Sequence, residues 1–300
     1  MPRPAGEEGT NSIALVTGAG GLIGSYLVKT AARWAPEWRV QGLSRSEVDL
    51  TDMDRVRELW RTLKPSLVIH CAAMSRTEAC ERDPALARKL NVEVTALLAD
   101  LSANLPFVFF SSDQVFDGRA GWYMETDEPH PLNVYAETKL AAERHVLAHP
   151  RHTVVRTSLN AGWSPTGDRS FVEEMRRAWQ AGRRLMLFTD EFRCPIPAGV
   201  TARAVWELTT KNRPGLYHLA GAERLSRWDI GRLLAAQWSE LRAEMAPGSV
   251  RDYAGPYRPP DLSLNCDKIQ AVLSFRLPGF GEWLAGRAGR NHDPWDYESP

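Results

Sequence analysis

The sequence predicts an α/β fold, a doubly wound parallel sheet with helices on both faces and a smaller C-terminal lobe. Short apolar runs rich in β-branched and aromatic residues alternate with longer amphipathic segments through the first half of the chain. A glycine-rich turn joins the first run to the first amphipathic segment, and the alternation loosens after residue 157. We therefore expect one domain over residues 11–158 and a lobe over 159–300, with elements near 196–220 returning to the first domain.

Five apolar runs in the first domain predict strands, because their lengths are typical of strands and turn residues bound them. They cover residues 13–16, 38–43, 67–70, 107–110 and 153–155. The fourth run (FVFF) is apolar without a break, which predicts a strand that is buried on both faces.

Helical spacing of apolar residues predicts the helices that connect these strands. They cover residues 22–34, 52–63, 84–103 and 133–147, and Thr51 is the predicted N-cap of the second. The lobe is predicted to contain helices over 171–181, 200–210 and 228–238 and a short strand over 216–219. Loops rich in Pro, Gly and Arg separate these later elements, so we expect a less regular lobe.

Composition excludes several classes of function. Acidic and basic residues balance at 37 each, and no basic stripe argues for a nucleic-acid partner. No run approaches the ~20 apolar residues that a membrane helix requires. The four cysteines lie far apart in the sequence, which favours free thiols in a reducing compartment over a set of disulfides. The seven histidines show no metal-ligand spacing. We expect a cytoplasmic protein with neither a membrane partner nor a metal site.

The turn after the first strand, TGAGGLIG, has the features of a pyrophosphate-binding site. Gly18, Gly21 and Gly24 allow a tight turn and a close approach of the backbone to phosphate. The helix that follows begins with Leu22 and Ile23, and its N-terminus supplies unpaired N–H groups and the positive end of the helix dipole. The sequence thus predicts a Rossmann-type dinucleotide site.

The end of the second predicted strand bears on the choice of cofactor. An acidic residue there would bind the adenosine ribose, whereas a basic residue suits a 2′-phosphate. The chain has Ser44 and Arg45 at this point, and no carboxylate. We therefore expect NADP, with NAD as the alternative.

Tyr135 and Lys139 lie four residues apart on a predicted helix, so their side chains share one face. The chain has 31 arginines and six lysines, so a lysine here suggests a need for an ammonium group. Such a group would stabilise a tyrosine phenolate and lower its pKa. Ser111 and Ser112 follow the fourth strand and would lie at the same carboxyl edge of the sheet. These residues predict reduction of a ketone, with Tyr135 as proton donor and a serine hydroxyl on the carbonyl oxygen.

Several ordered motifs resemble those of the extended short-chain dehydrogenases/reductases, and most of all the dTDP-4-dehydrorhamnose reductases. Besides the glycine turn and the Tyr-Lys helix, they are DLTD (49–52), VIHCAA (68–73), Asn91, SSDQVFDG (111–118), VRTS (155–158), YHLAG (217–221) and RPPDLSLN (258–265). The resemblance covers roughly residues 14–265.

The resemblance implies roles for individual residues. Ser112, Tyr135 and Lys139 match the family's catalytic set, and the last two also contact the cofactor. Further implied cofactor contacts run from the adenine to the nicotinamide end: Asp49, Leu50, Ala72, Ala73 and Thr157. The implied substrate is a nucleotide-linked sugar, with contacts from Asp113, Val115, Phe116 and, at the diphosphate, Arg258. A homodimer is a further expectation from the family.

Two departures from the family leave the identity of the sugar open. The reductases carry an aromatic pair after their Arg-Thr-Ser, where this chain has Leu159, Asn160 and Ala161. The stretch 164–169 is longer and more polar than the usual substrate loop.

The leading hypothesis is an NAD(P)H-dependent reductase of a nucleotide-linked 4-keto-6-deoxy sugar. A sugar-nucleotide 4,6-dehydratase is disfavoured, because that family places an Asp-Glu pair where this chain has Asp113 and Gln114. A 4-epimerase that recycles bound NAD stays open. So does a non-catalytic, NADP-binding regulatory subunit similar to that of methionine adenosyltransferase, because a binding module can keep the catalytic set.

Overall fold

In the computed structural model, which describes residues 12–255 and 257–286, a six-stranded parallel sheet forms the centre of the molecule. The strands are β1 Ile13–Thr17, β2 Arg39–Leu43, β3 Leu67–His70, β4 Phe107–Ser112, β5 His152–Thr157, β6 Asn160–Ala161, β7 Leu185–Phe188, β8 Phe192–Arg193, β9 Ile196–Pro197, β10 Gly215–Leu219, β11 Leu225–Ser226 and β12 Met245–Gly248. The central sheet has the order β2–β1–β3–β4–β5–β10, and every neighbouring pair is parallel.

Helices connect these strands and cover the sheet. They are α1 Leu22–Trp34, α2 Met53–Leu63, α3 Thr77–Arg82, α4 Pro84–Arg88, α5 Val94–Leu101, α6 Val134–Leu147, α7 Phe171–Gln180, α8 Ala198–Thr210, α9 Arg227–Gln237, α10 Asp267–Gln270 and α11 Phe280–Ala285. A π-helical turn spans Lys89–Glu93, and 3₁₀ turns span Asp113–Val115 and Val250–Asp252.

The two faces of the sheet are each covered by helices, which confirms the doubly wound prediction. Helices α1 and α8 pack together on one face, while α2, α5 and α6 cover the other. Strand β4 contributes to both cores, because side chains alternate between the faces of a strand. Phe107 and Phe109 belong to one apolar cluster, and Val108 and Phe110 to the opposite one. The predicted two-sided burial of this strand is therefore confirmed.

The predicted N-cap of α2 is wrong by one residue. Asp52, not Thr51, is the N-cap, and its carboxylate accepts a hydrogen bond from the Arg55 N–H at 3.0 Å. Thr51 is held by the preceding turn, since its N–H and hydroxyl both donate to Asp49 at 2.9 Å. The helix therefore begins after this turn has ended.

The helix predicted over 84–103 is present over 84–101, but its middle is a π-helical turn and not regular α-helix. Helices α4 and α5 are separated by the π-helical turn, and the short helix α3 precedes them. Asn91 lies in that turn, where its side chain accepts from the Met74 N–H at 2.8 Å and donates to the Met74 carbonyl at 3.0 Å. A π-helical turn commonly marks a functional position, and here it points Asn91 at the chain that leaves β3.

The lobe has its own apolar core, although part of the second half joins the central sheet. Helices α7, α9 and α11 surround a cluster that includes Phe171, Trp179, Ile230, Trp238 and Phe280. Strand pairs β7–β12, β8–β11 and β6–β9 complete this region. Helix α8 and strand β10 instead lie in the layers of the central sheet. Within the described residues, no helix combines the length and apolar character needed to cross a membrane.

Candidate active site

The turn between β1 and α1 leaves no room for side chains. Gly18 has a φ of +72°, and a Cβ there would lie 2.6 Å from the backbone nitrogen of Ala72. A Cβ on Gly24 would overlap the carbonyl oxygen of Gly18. Gly21 is the N-cap of α1 and donates its N–H to that same oxygen at 2.9 Å. A tight turn thus leads directly into a helix N-terminus, as a pyrophosphate site requires.

Other predicted cofactor residues border this turn or end a neighbouring strand. Leu22 and Ile23 pack their side chains into the core, so a phosphate could use only their backbone N–H groups. The backbone of Ala72 lies against Gly18, and Ala73 follows it beyond β3. Thr157 ends β5, where its hydroxyl accepts a hydrogen bond from the Asn160 side chain at 2.9 Å.

A carboxylate that the sequence-based prediction did not consider lies beside the end of β2. The Glu47 carboxylate accepts hydrogen bonds from the N–H of Ser44 at 2.7 Å and from its hydroxyl at 2.6 Å. These bonds lower the Glu47 pKa. The residues that end β2 are not acidic, as predicted, but the tight turn brings the carboxylate three residues onward back to Ser44. Arg45 is exposed, whereas Leu50 is buried beside Asp49.

Ser112 and Tyr135 come together where β4 ends and α6 begins. Both are more than nine-tenths buried, and the Ser112 hydroxyl lies near enough to the phenol to lower its pKa. The Ser112 hydroxyl also donates to Asp113 at 3.1 Å and accepts from the Gln114 N–H at 3.2 Å. Asn133 caps α6 and accepts a hydrogen bond from the Ala136 N–H at 2.8 Å, which fixes the helix turn that carries Tyr135.

The electrostatics of the tyrosine differ from the prediction. Burial raises the Tyr135 pKa above its usual value, and the nearby Ser112 hydroxyl opposes this only in part. Lys139, one helical turn further on, is 3% exposed, and its ammonium lies 4.0 Å from the centroid of the Phe109 ring. Burial lowers the pKa of Lys139 to about 7, with Glu143 as the main opposing influence. The predicted lowering of the Tyr135 pKa by Lys139 is therefore wrong for the protein without cofactor, because desolvation dominates both groups.

Three residues of the segment after Ser112 were predicted to bind substrate, and all three are buried: Asp113, Val115 and Phe116. Asp113 accepts a hydrogen bond from the Ser158 hydroxyl at 2.8 Å, and burial raises its pKa despite the opposing charge of Arg193. Val115 and Phe116 are fully buried, and Phe116 stacks on Tyr123 at a centroid distance of 4.1 Å. Their side chains are not available to a ligand, so a substrate could reach only their backbone.

Arg258 lies in the lobe and belongs to a cluster of arginines around one buried carboxylate. Glu191 is 2% exposed and receives hydrogen bonds from the Arg258 guanidinium at 2.8 and 2.9 Å. Arg193 approaches the same carboxylate at 3.2 Å, and Arg227 also lowers its pKa. Three positive charges therefore converge on one negative charge. Arg193 also acts on Asp113, which links this cluster to the Ser112 end of the site.

A cavity of about 270 Å³ opens beside the arginines. Its lining combines two arginines with aromatic and aliphatic side chains: Met186, Leu187, Phe188, Arg227, Tyr253 and Arg258. Of these residues, only Arg258 was predicted from the sequence. The others come from three separate segments that carry no local motif, so no sequence signal marks them. Across the described ranges 12–255 and 257–286, no group of three or more His, Cys, Asp or Glu side chains could hold a metal ion.

The model of the RmlD substrate binding domain matches residues 12–287 of this chain. The chain belongs to this family. Its members among characterised sequences include a dTDP-4-dehydrorhamnose reductase of Sinorhizobium fredii, which is 30% identical over 89% of this chain and 93% of its own length.

Two other relatives of this chain carry different names, one as a reductase and one as an enzyme subunit. The probable low-salt glycan biosynthesis reductase Agl14 of Haloferax volcanii is 34% identical, over 91% of this chain and 96% of its own length. The methionine adenosyltransferase 2 subunit beta of Danio rerio is 28% identical, over 86% of this chain and 84% of its own.

Solved structures share the fold. The dTDP-4-dehydrorhamnose reductase of Bacillus anthracis, crystallised with NADP, superposes with a TM-score of 0.84 at 22% identity, over 92% of this chain and 98% of that one. MoeE5, crystallised with UDP-glucuronic acid and NAD, has a TM-score of 0.79 at 25% identity, over 91% of this chain and 97% of its own. Members of this fold thus bind either nicotinamide dinucleotide.

Proposed function

We propose that this protein is an NAD(P)H-dependent reductase of a nucleotide-linked 4-keto-6-deoxy sugar. The observation that carries the proposal is the convergence of Ser112 with Tyr135, whose pKa the nearby serine hydroxyl lowers, one helical turn from Lys139 and at the same sheet edge as the glycine turn. These are the groups that a carbonyl reduction needs: a proton donor, a hydrogen-bond donor to the oxygen, and a positive charge.

The residues divide the reaction between them. A reduced nicotinamide nucleotide, when bound along the glycine turn, supplies the hydride for the keto carbon. Ser112 donates a hydrogen bond to the keto oxygen, and Tyr135 gives its phenolic proton to that oxygen as negative charge develops. The raised pKa of Tyr135 keeps the phenol protonated before the reaction. Lys139 stabilises the phenolate that remains and, as the family resemblance implies, binds the nicotinamide ribose.

The arginine cluster supports a nucleotide-linked substrate. Arg227 and Arg258 line the cavity together with Phe188 and Tyr253, which offers charge for a diphosphate and aromatic faces for a base. The excess of positive charge around Glu191 leaves attraction for an added anion. This arrangement favours a sugar carried on a nucleoside diphosphate over a free sugar.

The direct test is a substrate screen. Purified protein is mixed with NADPH or NADH, 4-keto-6-deoxy sugars linked to different nucleoside diphosphates are added, and loss of nicotinamide absorbance is followed with product mass. We expect oxidation of cofactor with at least one substrate and a product heavier by two hydrogens. Cofactor binding without any oxidation across the panel would contradict the proposal.

Arg258 should matter for the substrate and not for the cofactor. We expect Arg258→Met to weaken nucleotide-sugar binding by about 10- to 100-fold, because a hydrogen bond between charged groups contributes about 1.5–3 kcal/mol. Calorimetric titration of the nucleotide sugar measures the change. Arg251→Met removes an exposed arginine of the same region and serves as control. If both variants bound the nucleotide sugar with equal affinity, Arg258 would not be a substrate-binding residue.

A second function is favoured by the zebrafish relative, which is a subunit of methionine adenosyltransferase. In this alternative the chain binds NADP and a synthetase without reducing a sugar. Co-purification with a methionine adenosyltransferase catalytic subunit, together with no turnover in the substrate screen, would favour it. A homodimer in the cytoplasm stays our expectation for the reductase, and light scattering of the purified protein tests the dimer.

A further inference from the structure

A buried ion pair lies next to the proposed catalytic residues, on α6 and β5. Glu143 follows Lys139 by one turn on α6, and Arg156 lies on β5. The Arg156 guanidinium donates to the Glu143 carboxylate at 2.7 and 3.0 Å, and the two side chains are only 4% and 2% exposed. Removing two charges from water is costly, so such a pair requires close geometry and further hydrogen bonds.

Those further bonds lead to the strands that carry the site. The Ser111 hydroxyl donates to Glu143 at 2.5 Å, and Ser111 directly precedes the proposed catalytic Ser112. The Arg156 guanidinium lies 5.1 Å from the centroid of the Phe116 ring and 3.5 Å from the Nε2 of His218. The ion pair therefore joins the ends of β4 and β5 to the helix that carries Tyr135 and Lys139.

The surroundings of Lys139 make Glu143 electrostatically important. The ammonium faces the Phe109 ring and is removed from water, which disfavours its charged form. The other titratable groups around it are uncharged near neutral pH. Burial lowers the pKa of the His70 imidazole at the end of β3. Burial raises the pKa of the Cys71 and Cys80 thiols and of the Tyr135 phenol. Glu143 is the charged group that favours the ammonium most.

We propose that Glu143 is a positioning residue whose carboxylate, held by Arg156 and Ser111, keeps the Lys139 ammonium charged and so sets the upper pH limit of the reaction. The inference deepens the proposed function and rests on it for the link between Lys139 and Tyr135. The pKa of about 7 for Lys139 places this limit close to neutral pH. Loss of the carboxylate would leave burial unopposed and move the limit downward.

The experiment follows Lys139 directly in the protein without cofactor. With only six lysines in the chain, labelling of the lysine ε-carbons with ¹³C gives a simple NMR spectrum, in which Lys139→Met identifies the Lys139 signal. We expect Glu143→Gln to lower the midpoint of the Lys139 titration by about one to two pH units, since a nearby opposite charge shifts a pKa by that amount. The alkaline limb of kcat should move in the same direction. Glu137→Gln, which removes an exposed carboxylate of the same helix, should leave both unchanged.

A second variant separates electrostatics from folding. Glu143→Gln leaves Arg156 buried without its carboxylate, which is expected to destabilise the protein. The double variant Glu143→Gln/Arg156→Met removes both charges, so the melting temperature should recover relative to the single variant while the Lys139 midpoint stays low. A Lys139 midpoint equal to that of the wild type in both variants would overturn the inference. The titration needs no substrate, so it decides this point even if the wild type reduces no sugar in the screen.

Discussion

Replacing Tyr135 by phenylalanine is expected to lower kcat for reduction of the 4-keto sugar by about 10²- to 10⁴-fold, the usual contribution of a positioned proton donor. The change removes only the phenolic hydroxyl beside Ser112 and keeps the buried ring. Steady-state kinetics at saturating cofactor measure the loss. The dissociation constant for NADPH, measured in parallel, separates the loss of the proton donor from the loss of the cofactor contact that the family resemblance implies for Tyr135.

Tyr217→Phe is the matched control for this change. Tyr217 is 5% exposed on β10 and packs in the core of the opposite face, with Lys268 over its ring. Loss of its hydroxyl should leave kcat unchanged. If Tyr135→Phe and wild type oxidised cofactor at equal rates in the presence of substrate, Tyr135 would not be the proton donor.

Gly24→Ala is expected to abolish measurable cofactor binding and to destabilise the fold. The added Cβ would overlap the carbonyl oxygen of Gly18 and lie 2.7 Å from its carbonyl carbon, so the backbone of the turn has to move. Such overpacking costs about 1–3 kcal/mol of unfolding free energy. The displaced turn would no longer hold its N–H groups against a pyrophosphate, so we expect at least about a 100-fold weaker affinity for NADPH, a loss of ~2.7 kcal/mol.

Gly20→Ala is the matched control, because it also replaces a glycine of the turn but at a position where a Cβ has room. The nearest atom to a Cβ at Gly20 is the Cβ of Ser44 at 3.6 Å, an ordinary van der Waals distance. This variant should unfold at the wild-type denaturant concentration. Fluorescence titration with NADPH and urea unfolding compare the two variants. Equal behaviour of Gly20→Ala and Gly24→Ala would mean that close backbone approach does not determine the turn.

Local signals predicted most of the central layer and the core of the candidate site. Strand β4 was found from four consecutive apolar residues, and the structure extends it only to Ser112. Tyr135 and Lys139 share a helix face because of their spacing, which any regular helix would preserve. The helix around Asn91 was also predicted, but its π-helical turn was not, because the bonds from Asn91 to Met74 that accompany the turn join positions 17 residues apart.

The amino-acid sequence by itself determined the order of strands and helices, the glycine turn and the Tyr-Lys pair, because each of these signals lies within a few consecutive residues. Only the tertiary structure decided the charges around them. Glu143 meets Arg156 from 13 positions away, and Glu191 meets Arg258 from 67. Burial raises the pKa of Tyr135 and lowers that of Lys139. The charge of Lys139 alone would instead lower the pKa of Tyr135. Desolvation and ion pairing depend on which distant segments the fold brings together, and no local pattern records that.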